Sequence, residues 1–248
     1  MKLIHSTDSN AGITSLASRI SAALNSDKPV LWLTCGGSNV PVAFDAFQSI
    51  KAQVVPRSLA SLTIGQTDER FGPVGHADSN WRQLIEAGFD FSTQIASNPS
   101  NNVISNKNGS DGVRGLPILI GKPLDETVAA YSKVIGAAVA DVKSSGGLVV
   151  ALFGIGADGH IAGILPHSPA VNSNGSVCGY EEGRFTRITL TPKTLKRVDL
   201  AYAFAFGESK REALESLRDQ DLSMDEQPAQ ILKGLKEAYV YSDEVRPI

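Results

Sequence analysis

Residues 148–160 read LVVALFGIGADGH: six apolar residues running into three glycines, an aspartate and a histidine. The unbroken apolar run from Leu148 to Phe153 marks a strand buried on both faces, the position of a central strand in a parallel sheet. Just before it, Leu124, Val128, Tyr131, Ile135, Ala138 and Val142 repeat at helical spacing, the longest such stripe in the chain. Earlier still, Val30-Leu31-Trp32-Leu33 is a second apolar run. It follows a helical stripe, Ile13 to Leu24, and precedes another, Val42 to Phe47. Leu59 to Thr67 reads as a strand, and a helix is expected to begin near Asp78-Ser79, with Trp81, Leu84 and Ile85 on its apolar face. On the C-terminal side, Phe185–Leu190 and Ala201–Phe206 alternate as strands, the latter with alanines and aromatics on opposite faces. Ser209-Lys210-Arg211-Glu212 has the pattern of a capping box opening a helix. Ser97 to Gly115, rich in Asn, Ser and Gly, reads as a surface connection. Strands separated by helices imply an α/β fold: three layers, with a mostly parallel, Rossmann-like sheet covered by helices on both faces. The economical division is one domain over residues 1–248.

The composition narrows what such a fold can do. The chain has 248 residues, 42% hydrophobic and 20% charged, with 23 Lys+Arg against 26 Asp+Glu for a net charge of −3. That balance excludes disorder of the whole chain and argues against non-specific binding to nucleic acid or anionic lipid. A bound anion therefore needs cations gathered locally. Cys35 and Cys178 form no CxxC pair, and His5, His76, His160 and His167 lack metal-ligand spacing. Neither a secretory leader nor a membrane-spanning run is expected, so the default location is cytoplasmic. His76 and His167 read as surface or rim residues, and Trp32 and Trp81 as core.

In an open α/β sheet, ligands bind beyond the carboxyl ends of the strands. Four strand ends here carry polar or glycine-rich text. Gly36-Gly37-Ser38 allows backbone N–H groups to approach an anion at a helix N-terminus, and equally suits a tight strand-to-helix turn. Asp68-Glu69-Arg70 is a charged triplet that would also suit a solvated turn. Asp158 and His160 fall together after the central strand, where a carboxylate can orient an imidazole for proton transfer. The GxGxxG spacing there resembles a dinucleotide fingerprint, but it comes late in the chain, with His160 directly after it and Pro166 close behind. Lys210, at the start of a helix, opposes the helix dipole, a placement an anionic ligand would relieve. Arg187 lies on the strand face opposite Ile188 and can reach the same region.

Taken together, Gly36-Gly37-Ser38, Asp68-Glu69-Arg70-Phe71 with Asp78-Ser79-Asn80, Gly154 to His160, Arg187 to Leu190, and Gly207 with Lys210 resemble the 6-phosphogluconolactonase/glucosamine-6-phosphate isomerase superfamily. The resemblance runs from about residue 30 to 215. It implies lactone hydrolysis with His160 as general base, Asp158 orienting it, and Asp68 contacting sugar hydroxyls or water. It further implies Arg70, Arg187, Lys210 and the Gly36-Gly37-Ser38 backbone as phosphate ligands, with no metal or organic cofactor. The deaminase branch of that superfamily carries a glutamate five residues past the histidine and tends to have an aromatic hydroxyl residue where this chain has Arg70. Here the first of these positions is Leu165, which cannot exchange a proton. Both differences favour the lactonase branch, although Gly163-Ile164-Leu165-Pro166 and Gly36-Gly37-Ser38-Asn39-Val40-Pro41 depart from its usual text. The implied partner is a small phosphorylated sugar lactone. The alternatives are a deaminase or isomerase of an amino-sugar phosphate and a non-catalytic sugar-phosphate sensor. A DNA-binding regulator would need a basic helical module for which no segment is spare.

Overall fold

The protein, seen in a computed structural model that describes residues 1–91 and 112–245, alternates strand and helix through its first third. β1 (Lys2–His5), α1 (Asn10–Asn25), β2 (Val30–Thr34), α2 (Val40–Gln53) and β3 (Leu62–Gln66) come first. They are followed by β4 (Asp68–Arg70), α3 (Asn80–Ala87), β5 (Arg114–Leu116), α4 (Leu124–Ser144) and β6 (Leu148–Gly154). The chain continues with β7 (Val177–Glu182), β8 (Phe185–Leu190), α5 (Pro192–Leu195), β9 (Leu200–Phe204), α6 (Arg211–Asp219) and β10 (Glu237–Ser242). Seven strands make one sheet in the order β1-β10-β9-β6-β2-β3-β5, and every neighbouring pair is parallel. β4, β8 and β7 form a separate antiparallel sheet.

The period of two along each central strand divides the core into two layers. Leu31, Leu33, Val149, Ala151 and Phe153 pack with Tyr131, Ile135 and Val139 of α4 and with Ile188 and Leu190 of the small sheet. Val30, Trp32, Val150 and Leu152 face the other way, onto Leu16, Ile20 and Leu24 of α1 and Ala43, Phe47 and Ile50 of α2. β9 obeys the same rule: Ala201 and Ala203 join the first layer, while Leu200, Tyr202 and Phe204 join the second. Each large side chain buried this way contributes roughly 1.5–3 kcal/mol. The sheet is thereby held rigid beneath its loops. After β2 the chain moves to β3, and after β6 it moves to β9 in the opposite direction. A crevice therefore opens between β2 and β6 at their carboxyl ends.

Four local expectations need correction. The strand predicted over 59–67 is shorter, because Pro56 starts a 3₁₀ turn (Pro56–Ser61) and β3 begins only at Leu62. Asp68-Glu69-Arg70 is a strand of the small sheet and not a solvated turn. Ser209 caps nothing with its side chain. The chain enters α6 through a 3₁₀ turn, Glu208–Lys210, and the Arg211 amide is satisfied by the Glu208 carbonyl. Of the Asn/Ser/Gly-rich stretch, 97–111 lies outside the described residues, while Arg114–Leu116 pairs with β3 as an edge strand. Trp32 is fully buried, and Trp81 is half-buried and stacked on Phe91. No described helix is long and apolar enough to cross a membrane.

Candidate functional site

One cleft lies over the carboxyl ends of β2 and β6, and its walls come from six separate segments of the chain. Gly36, Gly37 and Ser38 follow β2, while His160 and Ala162 belong to the loop after β6. Asp68, Arg70 and Arg187 come from the small sheet, and Lys210 from the N-terminus of α6. The Gly36 backbone runs so close to α3 that a Cβ there would lie 2.0 Å from Asn80 Oδ1, which only glycine avoids. The Gly37 N–H already donates to Gln83 Oε1 (2.8 Å), so that amide is spent within the protein. His167, by contrast, is exposed and paired with Asp225 (2.7 Å). His76 is half-buried at the rim, its Nε2 2.9 Å from the Arg70 carbonyl.

The loop after β6 is pinned on several sides. The Gly156 N–H donates to the His160 carbonyl (2.9 Å), the Gly163 N–H to Thr189 Oγ1 (3.1 Å), and the Tyr180 hydroxyl to the Gly163 carbonyl (2.6 Å). Within it, His160 Nδ1 lies 2.6 Å from Asp158 Oδ1. That hydrogen bond is the main cause holding the Asp158 carboxyl down at about 2. An ionised carboxylate can only accept, so the shared proton belongs to Nδ1, and the neutral ring keeps its lone pair on Nε2. Asp158 itself does not line the cleft; it touches the residue that does.

Asp68 is buried, and burial pushes its carboxyl above the ordinary range. The Thr67 hydroxyl, Arg187, His160 and Arg70 pull in the opposite direction. Thr67 Oγ1 donates to Asp68 Oδ1 (2.9 Å), and Asn80 Nδ2 donates to the Asp68 carbonyl (3.1 Å). Arg70 and Arg187 are directly opposed in the β4–β8 register. Like charges facing each other across an antiparallel pair are destabilising; here Arg187 Nε is paired with Glu182 Oε2 (3.2 Å), and Arg70 donates to the Asp78 carbonyl (3.1 Å). Lys210 forms no ion pair among the described residues. The Cys35 thiol also lines the cleft, but burial pushes it up to about 12, so it stays protonated and is not a nucleophile near neutral pH. Among the described residues, no group of three or more His, Cys, Asp or Glu is arranged to hold a metal ion.

A family model described as glucosamine-6-phosphate isomerases/6-phosphogluconolactonase matches residues 8–240. The chain belongs to this family. The 6-phosphogluconolactonase of Mycobacterium tuberculosis is 30% identical over 203 residues, which cover 80% of this chain and 76% of that protein. The solved 6-phosphogluconolactonase of Thermotoga maritima superposes with a TM-score of 0.68 at 21% identity, over 97% of this chain and 98% of that one. A solved monomeric glucosamine-6-phosphate deaminase does so with a TM-score of 0.70 at 15% identity, over 98% of both chains. Two activities thus share the fold of this family, and the fold alone does not choose between them.

The cleft gathers eight of the nine site residues expected from the sequence of this family member, and the ninth, Asp158, bonds to one of them. Sequence reasoning missed Glu69, which is fully buried. Its carboxylate accepts from the backbone N–H groups of Arg70, Asn80 and Trp81 and from the Ser79 hydroxyl. Glu69 thus clamps the N-terminus of α3 onto β4, between the two cleft residues Asp68 and Arg70. It was concealed inside a charged triplet whose middle member points away from its neighbours, as strand alternation demands. Asn39 was missed as well. Its amide donates to the Phe153 and Phe204 carbonyls (both 3.2 Å) and ties the turn before α2 to the ends of β6 and β9.

Proposed function

We propose that this protein hydrolyses 6-phospho-D-glucono-1,5-lactone to 6-phosphogluconate, a step of the oxidative pentose phosphate pathway. The observation that carries this reading is that one cleft is lined both by His160, which is bonded to Asp158, and by Arg70, Arg187 and Lys210, which supply the cations for a phosphate. His160 Nε2 takes a proton from water, whose oxygen attacks the lactone carbonyl carbon. The tetrahedral intermediate expels the ring oxygen as the C1–O bond breaks, and the imidazolium returns its proton to that oxygen. Asp158 fixes the tautomer and stabilises the transient positive charge. In this reading Asp68, which lines the same cleft, contacts a sugar hydroxyl or the attacking water. Guanidinium forks and the mobile Lys210 ammonium suit the phosphate oxygens.

Leu165 favours hydrolysis over deamination. It is half-buried and packed against the core, where the resemblance places a glutamate in deaminases. The test is a paired assay of the full chain. Freshly generated lactone, corrected for spontaneous hydrolysis, should be opened faster with the protein present, and glucosamine-6-phosphate should release no ammonia. Ammonia release without lactone hydrolysis would establish the deaminase instead. Binding of 6-phosphogluconate without turnover of either substrate would establish a sensor.

A further inference from the structure

β8 carries Phe185 and Arg187 on one face, two residues apart, with Arg70 opposite Arg187 on β4. Three guanidinium groups surround the Phe185 ring. Their Cζ atoms lie 4.6 Å (Arg184), 5.0 Å (Arg70) and 5.8 Å (Arg187) from its centroid. All three are within the roughly 6 Å at which a ring's negative face attracts a cation. Against these three charges stand two carboxyl groups: Glu182, 3.2 Å from Arg187 Nε, and the buried Asp68, on which Arg187 and Arg70 both act. Arg184, exposed at the β7–β8 turn, forms no ion pair among the described residues. An excess of positive charge around one aromatic ring, in a chain of net charge −3, is costly without a purpose.

We propose that Phe185 is a positioning residue that organises the phosphate end of the cleft, and that Arg184 is an outer phosphate-binding cation held by the same ring. The proposal rests on the reading of the cleft as a sugar-phosphate site. The ring offsets the mutual repulsion of Arg70 and Arg187 while the site is empty and keeps both guanidinium planes standing toward the cleft. A phosphate dianion then meets side chains already ordered, and less rotamer entropy is lost on binding. Arg184 adds long-range attraction from the rim.

The test uses the full chain as wild type, Phe185→Leu, Phe185→Tyr and Arg184→Gln, with inorganic phosphate as the calorimetric probe and lactone kinetics alongside. Phe185→Leu keeps an apolar side chain but removes the π face. It should weaken phosphate binding about 5- to 30-fold and raise KM for the phosphorylated lactone by a similar factor, with kcat within about twofold. Phe185→Tyr, which keeps the ring, should lie within about twofold of wild type, and Arg184→Gln should weaken phosphate about 2- to 10-fold. KM for unphosphorylated gluconolactone should not move in any variant. The proposal is overturned by a wild type that binds no phosphate, by Phe185→Leu binding phosphate as wild type does, by Phe185→Tyr failing to restore binding, by an unchanged Arg184→Gln, or by equal losses on both lactones. A wild type that shows the expected phosphate pattern but opens no lactone would refute the proposed activity and leave the cation cluster standing.

Discussion

Replacing Glu69 by glutamine turns one carboxylate oxygen into an amide that donates, in a place where the carboxylate accepts from three backbone N–H groups, from the Ser79 hydroxyl and, at 3.4 Å, from Gln66 Nε2. Oε1 accepts from the Asn80 N–H (2.6 Å) and the Arg70 N–H (2.8 Å), and Oε2 from the Trp81 N–H (2.9 Å) and the Ser79 hydroxyl (2.9 Å). Glutamine keeps one oxygen and so about half of these bonds, and its NH₂ group faces the donors it displaces. Each buried donor left unsatisfied costs about 1–3 kcal/mol, so two cost about 2–6. The Ser79 hydroxyl can turn to another acceptor, and the variant no longer buries a charge, which together reduce the loss to about 2–4 kcal/mol. At this chain length that corresponds to a fall in Tm of about 5–15 °C. Urea unfolding and thermal scans of the two proteins measure it directly. Because Arg70 and Asp68 flank Glu69, phosphate affinity should fall alongside stability. A destabilisation below about 1 kcal/mol would refute the clamp.

Other outcomes follow from the cleft. Gly156→Ala would put a Cβ 2.0 Å from His160 Nδ1 and 2.4 Å from Asp158 Oδ1. Its kcat should therefore fall at least about 100-fold with KM little changed, and a kcat near wild type would show that the Asp158–His160 contact is dispensable. The Asp158 carboxyl, held at about 2, is lowered from its ordinary value, so the stabilising bond is complete above the usual carboxylate range and is lost only as pH falls through about 2. An NMR titration of the Asp158 carboxyl showing an ordinary midpoint would contradict the bond. Arg187→Ala removes a cation that pulls the buried Asp68 carboxyl downward, so Asp68 should keep its proton to higher pH. The acid limb of kcat/KM should then move up in pH, and a shift in the other direction would remove Asp68 from the chemistry. Lys210→Ala should weaken the phosphorylated lactone by about tenfold or more while sparing unphosphorylated gluconolactone, as kinetics on both substrates will show.

Much of this architecture was legible because central strands and amphipathic helices write long-range burial into local pattern. Val30–Leu33 and Leu148–Phe153 are apolar on both faces because both faces are covered, and Ala201–Phe204 alternates because Ala201 and Ala203 join one core layer while Tyr202 and Phe204 join the other. Asp158 and His160 could be read because both sit in one short loop. What escaped depends on contacts between distant segments. β1 is four residues long and gains its place only by pairing with β10, 237 positions later. Asp68-Glu69-Arg70 becomes a strand only when β8 lies beside it, and Glu69 acquires its function only when α3 arrives. Ser209 had the spacing of a cap, but it lies inside the 3₁₀ turn Glu208–Lys210, and Lys210 takes the N-cap position of α6.

The central claim is that His160 moves the proton in lactone opening. It is tested most directly by comparing wild type with His160→Ala on freshly generated 6-phospho-D-glucono-1,5-lactone at one pH, with spontaneous hydrolysis subtracted. The account predicts that kcat falls by about 10²- to 10⁴-fold while KM stays within about threefold, because the residues proposed to hold the phosphate are untouched. Equal rates for the two proteins would contradict it.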